Sequence, residues 1–527
     1  MELSLLVNLD ALAKTPLHRQ LYQQIRDAIL RGTLKPQTRL PASRQLAKTL
    51  EVSRTTVVQS YDQLISEGYL QTKPGAGTFV CKQIPDDLLL VDSQTKKPSV
   101  CLQQVTRASE NVVQTTVRAS GLIECLSDYG VRLTSAADYE ASPDCPLSFR
   151  YGLPDLTLFP WQQWRRLLNR EAGRHDLMGY DAEPMGHVGL RRAIAQYIRN
   201  GRAVRCGYEQ ILITSGTQQA LSLIGWVLMN AGEAIAFENP GYLSAKRIFS
   251  AQGASIVPVP VDSHGILVEE PSGLAALSAQ AASPRLVYVT PSHQFPTGVL
   301  MSLSRRLALL RWARETGSLI VEDDYDSEFR YSGSPIPALQ GLDDMGRVLY
   351  VGTFSKLMFP GLRLGYVVLP PGLVDVFRQA KWLCDRQCAL MEQAALANFI
   401  ERGYLAQHVR RMRAIYDRRR RSLVTSIQQV VPDAVVPGDA SGLHILVQLP
   451  CKGDAPTLIR QAKSLGVGLF STWPHYWQPT DSAKGDRTAI KAVEPSGCEL
   501  IFGFGDIAEK DIKRAITTLA PLFQGAR

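Results

Sequence analysis

Lys356 stands in Gly-Thr-Phe-Ser-Lys-Leu-Met-Phe-Pro-Gly-Leu-Arg-Leu-Gly, residues 352–365 of a 527-residue chain. A primary amine condenses with an aldehyde to an imine, and hydroxyls beside a guanidinium hold a phosphate. Thr353, Ser355 and Arg363 supply those groups within one short segment. The chemistry this suits is the capture of a small molecule carrying both an aldehyde and a phosphate. A single lysine in a glycine-bounded turn is ordinarily a surface residue. Three further sets of residues upstream set Lys356 apart.

Ser215-Gly216-Thr217-Gln218-Gln219 follows an apolar run and opens a helical pattern, so its backbone amides and the Thr217 hydroxyl can cradle a phosphate. Asn239-Pro240-Gly241-Tyr242 offers the Tyr242 ring as a flat face. Glu322-Asp323-Asp324-Tyr325-Asp326 closes an apolar run. A carboxylate there can pair with a pyridine nitrogen and keep it protonated, and Tyr325 can hydrogen-bond a ring hydroxyl. Asp323 lies 33 residues before Lys356. Each set alone is weak, since an acidic strand end is more often a metal site or a solvated loop. Their order along the chain is what makes the signal strong.

These residues need a frame. From Leu147 onward, short β-branched runs alternate with helical segments: residues 210–214, 234–237, 285–290, 318–321, 348–351 and 365–369. Such alternation predicts an α/β domain with a largely parallel sheet, whose sites collect at strand ends.

The N-terminal part has another architecture. Leu17, Leu21, Ile25 and Ile29 recur every four residues and predict a helix ending near Gly32. Ser43 is expected to cap a second helix carrying Leu46, Ala47 and Leu50. Ser53 is expected to cap a third, with Val57, Tyr61, Leu64 and Ile65 inward. Residues 69–72 and 78–80 read as two strands joined by Lys73-Pro74-Gly75-Ala76-Gly77, giving three helices and a β-wing. Arg44, Arg54, Thr55, Thr56 and Gln59 fall on outward positions. Arginine and threonine at helix starts suit phosphate and major-groove contacts, and Lys73 adds charge beside the glycines of the wing. A small helical protein-interaction domain is the plainer alternative.

Hydrophobic residues make up 45% and charged residues 20%, as in soluble globular proteins. The net charge of +9 and pI of about 9.0 suit an anionic partner. Basic residues gather in the first eighty positions and again in Arg410–Arg421, where a solvated helix face is the preferred reading. The nine scattered cysteines form no Cys-x-x-Cys pair, so a reduced intracellular setting and no zinc site are expected. Cys384 and Cys388 have one-turn helical spacing, which suits packing. MELSLLVNLD is not a signal-peptide start, and the most apolar stretch, residues 220–229, is too short to span a bilayer. The expected location is cytoplasmic, away from membranes. Residues 82–146 lack sustained periodicity and read as a linker between residues 12–81 and 147–527.

The stretch Pro16–Val80, with LPASRQLAKTLEVSRTTVVQSYDQLISEGYL and KPGAGTFV, strongly resembles the winged helix-turn-helix domain of GntR-family transcription regulators. The resemblance implies binding to a double-stranded DNA operator through Ser43, Arg44, Ser53, Arg54, Thr55, Thr56, Lys73 and Gly75. Residues 147–527, beginning with FRYGLPDLTLFPWQQW and GYDAEPMGHVGLRRAIAQYI, resemble the aminotransferase-like part of fold-type I pyridoxal-phosphate enzymes. That implies pyridoxal 5′-phosphate (PLP) as cofactor, Lys356 as the imine lysine and Asp323 as the pyridine partner, with the neighbouring Asp324 left open. By the same resemblance Gly216, Thr217, Gln218, Thr353, Ser355 and Arg363 lie around the phosphate, Tyr242, Tyr325 and His293 around the ring, and Tyr180 reaches the neighbouring subunit's site. The fusion is the hallmark of MocR/GabR-type regulators, and TPSHQFPTG (290–298) and EDDYDSEF (322–329) are similar to that family's own versions. It implies a head-to-tail homodimer that responds to PLP, an amine or an amino acid.

Two positions separate a sensor from a working enzyme. Aminotransferases carry Asn before Pro-Thr-Gly to bond the cofactor hydroxyl. Phe295 stands there and cannot, leaving His293 or Gln294 to compensate. Aligning residues 503–512 with the family's ending places Asp506 where an arginine grips the substrate carboxylate. The expectation is therefore a regulator with at most residual transamination. Its effector is an amine without that carboxylate, one held by another cation, or PLP itself. An active aminotransferase that also binds DNA is the alternative, and a vitamin B6 sensor is another. Trp473, His475, Tyr476 and Trp477 either line the effector pocket or form a packed loop.

Overall fold

Helix α1 (Leu17–Leu30) buries Leu21, Ile25, Ala28 and Ile29, the one face set by their three- and four-residue spacing. It packs with α2 (Ser43–Thr49) and α3 (Arg54–Ser66) around Leu34, Leu46, Val57 and Leu64. Strands β1 (Leu70–Lys73) and β2 (Gly77–Val80) pair antiparallel and close the core with Leu70 and Val80. Ser53 caps α3, its hydroxyl accepting the Thr56 N–H at 3.1 Å. The expected Ser43 cap is corrected. The extended N-cap residue of α2 is Ala42, no side chain caps it, and Ser43 is already the first helical residue. Ile65 is only partly buried.

The computed structural model describes residues 7–10, 13, 15–73, 76–82, 125–135, 145–179, 183–278, 283–332, 336–438, 440–450, 454–477 and 497–525. Tyr180 and Gly75, both expected to be functional, and most of the expected linker lie outside them. The chain forms two compact units, residues 1–111 and 112–527. Within the second, α4 (Asp128–Ser135) forms in the stretch read as linker, and Arg132 donates to the Ala251 carbonyl at 2.7 Å.

The second unit is built on an eight-stranded sheet. In chain order its strands are β3 (Ile211–Thr214), β4 (Ala234–Asn239), β5 (Ser255–Asp262), β6 (Gly265–Ile266), β7 (Leu286–Val289), β8 (Leu319–Asp324), β9 (Val348–Thr353) and β10 (Gly365–Val368). They lie in the order β3-β10-β9-β8-β7-β4-β5-β6. The five strands from β9 through β5 are mutually parallel, while β10 and β6 run antiparallel to their neighbours. Near-continuous runs such as Ile211-Leu212-Ile213 are buried throughout because both faces of the sheet are covered. A separate three-stranded antiparallel sheet, order β11-β13-β12, joins β11 (His444–Leu449), β12 (Phe470–Ser471) and β13 (Cys498–Gly503).

Helix α5 (Thr217–Leu228) leaves the end of β3, and α6 (Leu243–Ala251) follows β4. Helices α7 (Val374–Asp385) and α8 (Tyr404–Val430) come after β10. The arginines of α8 are largely engaged within the fold. Arg419 is buried against Asp155 at 2.6 Å, Arg413 donates to the Glu328 carbonyl at 2.7 Å, and Arg418 meets Glu509 at 3.2 Å. Among the described residues no helix is long and apolar enough to cross a membrane.

Candidate functional site

Strands β3, β8 and β9 end on the same side of the sheet, and their last residues lead into one cavity of about 260 Å³. Thr217, Gln218, Tyr242, Asp323, Tyr325, Thr353, Ser355, Lys356 and Arg363 all line it, so residues spread over 147 positions converge. The Lys356 Nζ donates to the Gly152 carbonyl at 2.6 Å. Burial holds its amine below the ordinary lysine range, opposed by the carboxylates of Asp326 and Asp323. A lowered amine pKa raises the neutral fraction, the form that attacks an aldehyde.

The phosphate-type cradle is assembled from two segments. Gly216 caps α5 with φ +88°, a left-handed conformation, and a Cβ there would sit 3.1 Å from the Arg363 Nη2. Arg363 reaches back to the Ser215 carbonyl at 2.9 Å from its own left-handed position, φ +51°. The Ser355 amide donates to Thr353 Oγ1 at 3.2 Å, and that hydroxyl donates to Ser355 Oγ at 3.1 Å. The uncapped start of α5 adds first-turn amides.

The two adjacent acids divide cleanly. Alternate residues of a strand point to opposite faces, and only Asp323 faces the cavity. Its Oδ2 accepts from the Tyr288 hydroxyl at 2.6 Å, while Oδ1 is buried without a partner. Burial pushes the Asp323 carboxyl up to about 7, with the Tyr288 bond opposing and Asp324 reinforcing the rise. Burial acts on Asp324 too, but Arg202 at 2.8 Å and the Tyr350 hydroxyl at 2.6 Å hold its pKa below the usual range.

His293 is corrected: it does not line the cavity but lies behind Tyr325. Its Nδ1 meets Asp326 at 3.0 Å, and the Tyr325 hydroxyl donates to its carbonyl at 2.8 Å. Gln294 does not compensate for Phe295 either. Its amide donates to the Pro240 and Phe295 carbonyls at 2.8 and 2.7 Å and accepts from Thr297. Phe295 does line the cavity, packed edge-on to Tyr242 and His475 with centroids 5.7 and 4.8 Å apart.

Asp506 is likewise corrected, being absent from the cavity wall. It is exposed at the surface. None of Trp473, His475, Tyr476 and Trp477 lines the cavity; Trp473–His475 form a 3-10 turn in which Trp473 is exposed, while His475 and Tyr476 are buried. The Tyr476 hydroxyl donates to Glu499 at 2.8 Å, and the Trp477 amide donates to Asn239 Oδ1 at 2.8 Å. Sequence reasoning missed Tyr151, Gly152, Tyr288, Thr290, Pro360 and His444 as lining residues. Tyr288 and Thr290 sit at the end of a strand that had been found, which was the available signal. His444 carried none.

On the first unit, Arg44, Arg54, Thr55, Gln59 and Lys73 are exposed, and Ser53 presents its cap at the start of α3. Arg39, which the pattern did not mark, pairs through its backbone with Phe79 and lies 3.1 Å from a Cβ built on Gly77.

Residues 17–80 match the family model for bacterial regulatory proteins of the gntR family, and residues 155–463 match aminotransferase class I and II. The probable rhizopine catabolism regulatory protein MocR of Rhizobium meliloti is 38% identical over 490 residues, 92% of either chain. The pyridoxine biosynthesis transcriptional regulator PdxR of Corynebacterium glutamicum is 30% identical over 507 residues, 96% of either chain. A Pyrococcus horikoshii kynurenine aminotransferase structure matches at TM-score 0.64 and 28% identity, covering 80% of this chain and 95% of that one. The chain belongs to the MocR-type transcription regulators, in which a GntR winged helix-turn-helix is joined to a class I/II aminotransferase domain.

Proposed function

We propose that this regulator reads PLP, or PLP together with an amine, in the Lys356 cavity and converts that reading into altered operator binding. The residues present fit the cofactor. Asp323 keeps a buried, unpartnered oxygen for a ring nitrogen, and Gly216 leaves the space beside Arg363 that a Cβ would crowd. In this reading Gly216, Thr217, Gln218, Thr353, Ser355 and Arg363 hold the phosphate, Tyr242 packs on the ring, and Tyr325 offers its hydroxyl. Lys356 supplies the amine that retains the aldehyde. When bound, PLP provides a reactive carbonyl and an electron-withdrawing ring.

One observation carries the sensor reading. Among the described residues lining the cavity, the only cations are Lys356 and Arg363, both committed to the cofactor, and the remainder includes Tyr151, Phe295, Pro360 and His444. A substrate carboxylate finds no bidentate partner there, so the effector is PLP itself or an amine lacking a carboxylate. The DNA contacts fall to Ser43, Arg44, Ser53, Arg54, Thr55, Thr56, Lys73 and Gly75. The assembly is a head-to-tail homodimer with Tyr180 reaching across, so that two readers meet two half-sites. A ligand shifts operator binding only by its unequal affinity for the two conformations.

The deciding experiment measures operator affinity with and without PLP across a panel of amines and amino acids. A response to PLP or to amines supports the proposal; an affinity indifferent to every addition sinks it. The intact Lys356 and Asp323 pair supports the second reading, an active transaminase. Rapid release of keto acid in a single-turnover assay with amino donors would select it.

A further inference from the structure

We propose that the Lys356 cavity takes as effector a primary amine whose side group is aromatic and uncharged, received by Tyr151, Phe295 and His444. The inference rests on the PLP-sensor reading above and names the effector which that reading leaves open. The lysine amine itself marks where such a group goes. Lys356 Nζ donates to the Gly152 carbonyl at 2.6 Å, and a Cβ on Gly152 would stand 2.7 Å from that nitrogen. Gly152 also has φ +72°, so both its backbone and the close approach call for glycine. The space beside the amine is thereby kept open. An effector nitrogen competing for this place carries its substituent along the wall that the neighbouring Tyr151 begins.

That wall is aromatic. Phe295 is its centre, with ring centroids 5.6 Å from Tyr151, 5.3 Å from His444 and 6.3 Å from Tyr325. All four side chains line the cavity. Phe470 of β12 packs edge-on to Tyr151 at 5.4 Å and holds it from outside the cavity. Tilted and edge-on neighbours at these distances are the arrangement into which a further ring fits. His444 adds a flat neutral face. Its Nε2 donates to the Pro296 carbonyl at 3.2 Å, and burial drives its pKa well below the ordinary histidine range, with His293 adding to the fall. The charged groups that line the cavity, Lys356, Arg363 and Asp323, are the ones the cofactor engages. A charged side group entering here loses its hydration and gains no partner. An aryl group buries apolar surface instead. In the PLP reading the phosphate, ring and amine belong to other residues, so Tyr151, Phe295 and His444 are left to select the effector.

The test loads the full-length chain with PLP and titrates it with phenylethylamine, n-butylamine and phenylalanine. Calorimetry reads binding, and a competition assay reads operator affinity. Phenylethylamine is expected to bind at least about tenfold more tightly than n-butylamine. It should exceed phenylalanine by a similar factor, because that carboxylate meets no cation, and it should shift operator affinity beyond PLP alone. Phe295→Leu and Tyr151→Leu each keep an apolar side chain and remove a ring. Each should weaken phenylethylamine about three- to tenfold and leave n-butylamine and the PLP absorbance unchanged. If circular dichroism shows that one variant fails to fold, the other carries the comparison. Equal affinity for phenylethylamine and n-butylamine, or binding of neither, overturns the proposal while leaving PLP sensing intact. So does a selectivity that survives the substitutions. Failure to take up PLP overturns the sensor reading itself, and this proposal with it.

Discussion

The Tyr288 hydroxyl donates to one oxygen of Asp323 at 2.6 Å and leaves the other buried and unpaired. The carboxyl is therefore held in place but kept expensive to ionise, with a pKa raised to about 7 against an ordinary 3.8.

That shift has a definite sign for stability. Between about pH 4 and pH 7 the folded chain retains a proton at Asp323 that the unfolded chain has released, so this group's contribution to stability falls as pH rises through the window. In cofactor-free protein, Asp323→Asn is expected to be more stable than wild type at pH 8, by on the order of 1–4 kcal/mol. The gain should vanish near pH 4. Urea unfolding at the two pH values checks it, and an equal difference at both would refute the assignment. The same variant should bind PLP much more weakly.

Lys356→Ala removes the amine that retains the aldehyde. The visible absorbance of lysine-bound PLP should be lost together with the effector response, while far-ultraviolet circular dichroism is unchanged. Persistent absorbance would show that another lysine holds the cofactor.

Gly216→Ala places a Cβ at φ +88° and 3.1 Å from Arg363 Nη2. Left-handed strain for a non-glycine residue costs about 1–3 kcal/mol. Relaxing it turns the first amides of α5 away from the cradle. PLP affinity should fall roughly 10- to 100-fold, read by absorbance titration. An unaltered dissociation constant would mean that the turn does not carry the phosphate.

Arg54 is exposed at the first helical position of α3. Arg54→Ala should weaken specific operator binding by about 1–3 kcal/mol in a competition assay against random DNA, with PLP absorbance unaffected. Unchanged operator affinity would remove α3 as the reading helix.

Much of this was legible from local pattern. The strands of the large sheet are marked by apolar runs buried on both faces, and the residues that end them are those that line the cavity. The winged helix was legible because its helices are amphipathic and the Ser53 cap is a local bond. What failed depended on contacts distant in sequence. His293 was expected at the ring, but Asp326 and the Tyr325 hydroxyl hold it behind the wall. Asp506 was placed by aligning residues 503–512 with the family's ending, and a register error in such an alignment carries no penalty that a sequence displays. Ser43 missed the cap by one residue, the usual uncertainty of a helix boundary. Tyr151 and His444 reach the cavity only through packing of the C-terminal part, which no local spacing encodes.

The alternation of Asp323 and Asp324 has a consequence for how this gene can vary. One carboxyl faces the cavity and stays near neutrality; its neighbour faces Arg202 and stays charged. Inserting or deleting a single codon within β8 would exchange their faces, setting the wrong acid toward the cavity and stranding Arg202 at once. Point changes at either position damage one role, whereas a frame-preserving length change damages both. Among lineages of this regulator, β8 should therefore tolerate substitution in its apolar residues while keeping its length fixed.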